Sequence, residues 1–434
     1  MTHPAQAHPV TQPAQVHPVT HAAQVHPVTH PAQAHPVTAL LRNQGVTAPA
    51  GFKASGVAAG LKASGALDVA LVLNEGPDHS AAGVVTRNQV KAAPVLWTQQ
   101  VLTTGCLRAV ILNSGGANAC TGPDGFADTH RTAEHTAATL SGWGTETGAV
   151  EVAVCSTGLI GDRLPMDRLL PGVGAAVHEL AGGLGGGLDA ARAVLTTDTV
   201  AKQAALHHPG GWTVGGFAKG AGMLAPSLAT MLVVLTTDAV ATAAQLDAAL
   251  RPACRLTFDR LDVDGATSTN DTVLLLASGA SETVPSQGEL TAAVTAVCDD
   301  LAEQLMADAE GATKHVTITV TGAVTEDEAV AVARAVARDS LVKTALFGSD
   351  PNWGRVVAAV GMAPAHLDPD RIDVSFDGHP VCLGGVGAPG AREADLRAER
   401  ISLEIGLGVG QASASIRTTD LSHGYVDENS AYSS

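Results

Sequence analysis

Short apolar runs alternate with helical patterns along most of this chain. Runs rich in Val, Leu and Ala predict strands over residues 107–112, 149–155, 230–235, 272–277, 315–320, 355–360, 371–376, 401–405 and 412–417. Apolar residues at helical spacing predict helices over residues 129–140, 241–250, 290–308 and 326–339. The last helix begins with Thr325 and Glu328 at the spacing of a capping box. Mixed elements of this kind indicate a layered α/β fold.

Small polar residues and glycines follow two of the predicted strands. Residues 113–122 read Asn-Ser-Gly-Gly-Ala-Asn-Ala-Cys-Thr-Gly, and residues 156–161 read Ser-Thr-Gly-Leu-Ile-Gly. Loops of this type at the ends of buried strands commonly carry binding and catalytic groups. We therefore expect both loops to form walls of a site.

The first 38 residues differ from the rest of the chain. They repeat His-Pro-Val-Thr with a nine-residue period and contain no Asp, Glu, Lys or Arg. Frequent prolines cannot sustain a helix or a sheet, so residues 1–38 are predicted to be a disordered, extended tail. The segment lacks the charged start and apolar stretch of a signal peptide, and we expect no functional metal site in it.

Composition narrows the classes of function. The net charge of −17 argues against a nucleic-acid or anionic-membrane partner, since both need clustered Lys and Arg. No apolar run approaches the roughly 20 residues that span a bilayer. The six cysteines lie far apart without a Cys-x-x-Cys pair, which predicts buried free thiols, no metal centre and a cytoplasmic protein.

The candidate chemistry centres on Thr230, where a loop of small residues runs into the predicted strand at 230–235. Threonine is a poor nucleophile without a neighbouring base, and cutting the chain before it turns its own freed amine into that base. Lys219 lies upstream between small residues, and Pro226 restricts the backbone before the junction. By itself the Ala229-Thr230 dipeptide favours a threonine that merely starts a strand over a catalytic one. The Gly-Lys-Ser/Thr order of a phosphate-binding loop is absent.

Residues 219–232, Lys-Gly-Ala-Gly-Met-Leu-Ala-Pro-Ser-Leu-Ala-Thr-Met-Leu, resemble the autocleavage motif of the ornithine acetyltransferase family, the glutamate N-acetyltransferases of arginine biosynthesis. The resemblance extends in order through residues 113–122, 155–161, 196–199, 262–272, 310–314, 343–348, 350–355 and 429–434. It covers nearly all of residues 39–434. Only the repetitive tail lies outside it.

The resemblance implies a two-domain layered α/β fold that cleaves itself between Ala229 and Thr230. The products are an α chain, 39–229, and a β chain, 230–434, assembled as α2β2. The Thr230 hydroxyl would attack the preceding carbonyl, and water would hydrolyse the resulting ester. The freed α-amine has an ordinary pKa of about 7.7–8.0, so part of it is neutral near pH 7 and can serve as base.

The implied reaction moves an acetyl group from N2-acetyl-L-ornithine to L-glutamate through an ester on Thr230. By resemblance, the Thr157 hydroxyl and the Gly158 N–H stabilise the tetrahedral oxyanion. The resemblance assigns the substrates to Thr196, Lys219, Thr230, Glu310, Asn429 and Ser434, with Glu310 facing the ornithine ammonium. No tightly bound cofactor is implied. Relatives differ in whether they also use acetyl-CoA, and the residues do not decide this.

Two other functions compete with acetyl transfer. The same self-cleaved architecture could pass the acyl group to water, as in the β-aminopeptidases, and an uncleaved chain would be a binding protein without activity. Residues 182–187, Gly-Gly-Leu-Gly-Gly-Gly, only superficially resemble a dinucleotide-binding loop, because they follow a helical pattern instead of a strand. We expect a flexible connection there. Asn352 and Arg355 receive no role from the sequence.

Overall fold

Three sheets organise the part of the chain that the structure, a computed structural model, describes: residues 40–223 and 231–431. In these ranges the strands are β1 (Phe52–Val57), β2 (Val69–Asn74), β3 (Ala81–Val85), β4 (Ala109–Ser114), β5 (Val152–Thr157), β6 (Lys202–His208), β7 (Trp212–Lys219), β8 (Leu232–Thr237), β9 (Thr272–Ala277), β10 (His315–Ala323), β11 (Asp373–Phe376), β12 (His379–Leu383), β13 (Val386–Gly387), β14 (Arg400–Gly406) and β15 (Ala412–Thr419). The predicted tail at 1–38 lies outside the described residues.

The α-helices of the same ranges cover the sheets. They are α1 (Ala93–Leu102), α2 (Gly122–Trp143), α3 (Met166–His178), α4 (Gly183–Ala193), α5 (Ala243–Leu256), α6 (Gln287–Ala307), α7 (Glu326–Arg338), α8 (Ser340–Phe347), α9 (Trp353–Val360) and α10 (His423–Ala431). The predicted layered α/β arrangement is confirmed. None of these helices is long and apolar enough to cross a membrane.

The strand orders are β1-β2-β4-β5, β3-β9-β8-β7-β6 and β13-β12-β11-β14-β10-β15. Strands β4 and β5 are parallel, with Ser114 opposite Thr157, so the loops that follow them leave the first sheet at one edge. In the second sheet the end of β7 pairs with the start of β8, Lys219 opposite Leu232, and β8 runs parallel to β9. The pairing of these strands thus places several polar loops beside one another.

Alternating side chains of β8 belong to two different cores. Leu232 and Val234 pack with residues of the first sheet and its helices, whereas Val233 and Leu235 pack with α5 and α6. Burial on both faces explains why this strand is a continuous apolar run. A third core lies between the last sheet and α7, α8 and α9.

Most predicted elements are present, but the prediction of a strand at 355–360 is wrong. These residues belong to the helix Trp353–Val360. A short apolar run carries no clear periodicity, and the decisive signal is the preceding Asn352, whose side chain accepts a hydrogen bond from the Arg355 N–H at 3.3 Å. The Arg355 guanidinium binds the Leu341 carbonyl at 2.7 Å. The strand predicted at 149–155 begins only at Val152, because residues 149–151 form one 3₁₀ turn.

Two further predictions, the capping box at Thr325 and the burial of the cysteines, are only partly correct. Thr325 caps its helix by accepting from the Glu328 N–H, but the Glu328 carboxylate binds His366 at 2.7 Å instead of completing a capping box. Four of the six cysteines are buried free thiols as predicted. Cys106 is half-buried and Cys120 is exposed, so the prediction is wrong for these two.

The glycine run at 182–187 is not a flexible connection, because most of it forms the first turn of α4. A Cβ on Gly186 would overlap the carbonyl oxygens of Ala54 and Ala181, whereas a Cβ on Gly185 would meet open space. The helix therefore lies directly against the backbone of β1. Close approach, and not flexibility, accounts for glycine at position 186.

We predict that Gly186→Ala lowers the free energy of unfolding by about 1–3 kcal/mol, because the new methyl group overpacks the contact with β1. The adjacent Gly185→Ala is the matched control and should stabilise the chain by up to about 1 kcal/mol through helix propensity. Denaturant titration of both variants measures the difference. Equal stability of the two variants would contradict the close approach.

Candidate active site

A cavity of about 450 Å³ gathers six of the residues that the sequence resemblance implicates. They are Thr157, Gly158, Thr196, Lys219, Glu310 and Asn429. Its wall combines the end of β5, the end of β7, the loop after α4, the turn after α6 and the last helix, α10. Ala229, Thr230 and Ser434 lie outside the described residues, so their predicted roles stay predictions.

The turn after β5 packs closely against the loop after β4. Gly158 has a φ of +135°, and a Cβ at this position would overlap the Gly116 backbone nitrogen. The Gly116 N–H donates to the Thr157 carbonyl at 3.0 Å, and the Ala117 N–H donates to the Leu159 carbonyl at 2.9 Å. The turn is therefore held against the loop after β4, and only glycine fits at its centre.

Lys219 is the principal cation of the cavity wall. Its side chain is only 1% exposed, and its Nζ donates to Thr196 Oγ1 at 2.8 Å and to Thr157 Oγ1 at 3.4 Å. An ammonium group has no acceptor, so the Thr157 hydroxyl must accept in this contact. Its own O–H can then be directed at another acceptor, as an oxyanion donor requires.

A buried chain of charges holds Lys219 in place. Asp198 lies 3.6 Å from Lys219 and 2.7 Å from Lys202, and Lys202 lies 2.6 Å from Asp308. The Gly220 N–H also donates to Asp198, at 2.6 Å. Two ammonium groups and two carboxylates thus balance inside the protein, which offsets the cost of removing each of them from water.

The same network shifts the ionisation of its members. Burial alone would raise the pKa of Asp198, but the ammonium groups of Lys219 and Lys202 outweigh burial and hold this pKa well below its usual range. Burial lowers the pKa of Lys219, while the Asp198 carboxylate opposes that shift. Asp198 is therefore ionised at any pH at which the chain is expected to work.

Carboxylates form another part of the cavity wall. Glu310 accepts from the Asn429 side-chain amide at 3.0 Å, and it lies so close to Gly222 that a Cβ there would overlap its carboxylate. Asp264 accepts from the Met223 N–H at 2.6 Å. Burial, together with the charges of Asp264 and Glu310, raises the pKa of Tyr425 to about 12. The wall therefore offers an ammonium and two carboxylates to a ligand that carries both signs of charge.

Sequence reasoning missed several members of this wall. Asp264, Ser268, Thr269, Asn270 and Tyr425 line the cavity without having been given a role. The first four belong to a polar segment just before the buried strand β9, and this segment is also part of the resemblance at 262–272, so two sequence signals could have indicated them. Across residues 40–223 and 231–431, no group of three or more His, Cys, Asp or Glu could hold a metal ion.

Comparison with known proteins gives close relatives. A model of the ArgJ family matches residues 53–434. The arginine biosynthesis bifunctional protein ArgJ of Mycobacterium tuberculosis is 75% identical over 369 residues, which cover 85% of this chain and 91% of the relative. The protein of the same name from Thermobifida fusca is 57% identical over 366 residues, covering 84% and 94%. A crystal structure of ornithine acetyltransferase complexed with ornithine, from M. tuberculosis, is 80% identical over 44% of this chain and 99% of that chain, with a TM-score of 0.44.

We predict that Asp198→Asn lowers the free energy of unfolding by about 3–5 kcal/mol, because it leaves two buried ammonium groups without their shared carboxylate. Since the folded-state pKa of Asp198 is depressed, the loss should be complete above about pH 4 and should shrink as the pH falls below it. Denaturant titration across this range measures both effects.

Asp247→Asn is the matched control. Asp247 also pairs with a cation four residues later, Arg251, at the same 2.7 Å, but both side chains are exposed. Its loss should be below about 1 kcal/mol. If the two variants lose equal stability, the buried network does not carry the stability assigned to it.

Proposed function

The chain belongs to the ArgJ family, and we propose that it transfers an acetyl group from N2-acetyl-L-ornithine to L-glutamate in arginine biosynthesis. One observation supports this most strongly. The six described residues that the sequence resemblance assigns to the oxyanion and to the substrates line a single cavity, although they come from widely separated parts of the chain. The proposal also agrees with the names of the close relatives.

Acetyl transfer needs a place for each substrate charge. Lys219 and Thr196 offer an ammonium and a hydroxyl to the α-carboxylate that both amino acids carry. Glu310 and Asp264 offer carboxylates to the side-chain ammonium of ornithine. The two substrates thus share the α-carboxylate and differ in the charge of the side chain. This suits a site that binds them in turn.

The chemical step proceeds through an ester. The Thr230 hydroxyl attacks the acetyl carbonyl, its proton passes to the α-amine of Thr230, and the oxyanion is stabilised by the Thr157 hydroxyl and the Gly158 N–H. Collapse breaks the bond to the ornithine nitrogen, which leaves with a proton as the free amine. The amine of glutamate then attacks the acetyl ester, and the Thr230 hydroxyl is released.

We further propose that the chain cleaves itself between Ala229 and Thr230, because this step supplies the α-amine that serves as base. Lys219 and Glu310 would then lie on different fragments while lining one cavity, so the α and β chains must stay associated. An α2β2 assembly is part of the same proposal. Acetyl-CoA is proposed as a second acetyl donor, since the relatives are named bifunctional proteins.

We predict that the purified wild-type chain runs as two fragments on denaturing electrophoresis, with intact masses that correspond to a break before Thr230. Thr230→Ala removes the hydroxyl that attacks in both cleavage and turnover. Without cleavage the α-amine is not freed as base, so this chain should stay whole and inactive. A wild-type chain that remains uncut would refute self-cleavage and favour a binding protein.

We predict that sustained release of ornithine from N2-acetyl-L-ornithine, beyond one equivalent per enzyme, depends on glutamate and yields N-acetylglutamate in equal amount. Thr157→Val keeps the side-chain shape but removes the hydroxyl, and kcat should fall by about 10²–10³-fold. Substrate turnover measured with and without glutamate tests both statements. The same assay with acetyl-CoA and glutamate, without N2-acetyl-L-ornithine, tests acetyl-CoA as the second acetyl donor.

Thr136→Val is the matched control for the loss of a buried hydroxyl. Thr136 lies on α2, and its Oγ1 donates within the helix to the Thr132 carbonyl at 2.7 Å. This variant should keep the wild-type kcat. Continued ornithine release, over many turnovers without glutamate, would instead identify a hydrolase.

A further inference from the structure

Asn270 links the end of β5 to the loop after β4. Its side chain is buried, and Nδ2 donates to the Ala117 carbonyl at 2.7 Å and to the Ser156 carbonyl at 2.8 Å. Ser156 directly precedes Thr157, and Ala117 belongs to the loop that holds Leu159. Both amide hydrogens of Asn270 are therefore used to fix the backbone on either side of the oxyanion donors.

The orientation of this amide is determined by its neighbours. The Thr269 hydroxyl donates to Asn270 Oδ1 at 2.6 Å, and the Asn270 N–H donates to Ser268 Oγ at 3.1 Å. Two carbonyl oxygens can only be satisfied by the NH₂ group, so the opposite amide orientation would leave both without a donor. A single side-chain orientation is compatible with these contacts.

Asp271, the residue after Asn270, holds Met231, which directly precedes β8. Asp271 is buried, and its Oδ1 accepts from the Met231 N–H at 3.0 Å. The Thr272 N–H donates to the Met231 carbonyl at 3.1 Å. Met231 follows Thr230 directly in the chain, so this contact fixes the second residue of the predicted β chain.

We propose that Asn270 is a positioning residue that keeps the oxyanion turn in register with the start of the β chain. The inference rests on the proposed function. Once the Ala229–Thr230 bond is broken, the turn and the nucleophile are on separate fragments, and non-covalent contacts alone set their spacing. Asn270 and Asp271 are consecutive residues that hold Ser156 and Met231 respectively, so they connect the two sides over a short, buried path.

Small displacements matter at such a site. An oxyanion donor stabilises the transition state only when it is already placed where the charge develops, and a misplacement of about 1 Å can cost on the order of 10²-fold in rate. Loss of the Asn270 amide frees the Ser156 and Ala117 carbonyls. The turn keeps both donors but no longer holds them at a fixed distance from the nucleophile.

Asn74 provides a matched comparison for the loss of a buried amide. Its side chain is also buried, and Nδ2 donates to the carbonyls of Asp78 and Ala277, both at 3.0 Å. Ala277 is the last residue of β9, whereas Asn270 lies just before its first residue. Asn74 thus has the same type of contacts at the other end of the same strand.

The test compares Asn270→Ala with Asn74→Ala in the full chain. Both should lose similar amounts of stability, whereas kcat per cleaved chain should fall by about 10–100-fold only in Asn270→Ala, with KM for N2-acetyl-L-ornithine changed less than about twofold. An equal kcat loss in both variants, or a change in KM alone, would overturn the proposal.

Thr269→Val keeps the Asn270 amide but removes the hydroxyl that orients it. This variant carries the test if Asn270→Ala does not fold or is not cleaved, and its kcat should fall by about 2–10-fold at unchanged KM. An unchanged kcat would refute the positioning role. A wild-type chain without glutamate-dependent acetyl transfer would refute the proposed function instead, and the two failures are therefore distinct.

Discussion

Burial of the Lys219 ammonium is the constraint on which the rest of the site depends. A charge that is only 1% exposed needs a compensating partner, and Asp198 supplies one at 3.6 Å. Asp198 is in turn bound by Lys202, which is bound by Asp308. The cavity with this charge distribution forms only when the end of β7, the loop after α4, the start of β6 and the turn after α6 come together.

A second constraint acts on the backbone. The parallel pairing of β4 and β5 brings the loops after both strands to one edge, and Gly158 lets them approach until backbone groups bond directly. Asn270, from a third segment, then satisfies two of the buried carbonyls. Donors held in this way need little reorganisation when negative charge develops. The charged network and the backbone contacts meet at Thr157, which accepts from Lys219.

The strength of each local signal explains how much of the fold was predictable. The strand Thr272–Ala277 has the predicted bounds, because six consecutive apolar or β-branched residues are buried on both faces. The run at 355–360 is also mostly apolar but forms a helix, since the Asn352 cap decides its conformation. The glycines at 182–187 predicted flexibility, whereas their packing against β1 determines their actual role. Composition indicates an element, and capping and packing select its type.

The sequence by itself determined the family and singled out Thr157, Gly158, Lys219 and Glu310 as candidates, because these belong to motifs of consecutive residues that can be recognised without a fold. The tertiary structure alone decided how they are supported. Lys202 and its partner Asp308 are 106 positions apart, and Asn270 lies 114 positions from Ser156. Contacts over such separations depend on strand order and helix packing, and no local pattern encodes them. For this reason the candidate site residues that line the cavity could be named from the chain, and the buried charges and amides beside them could not.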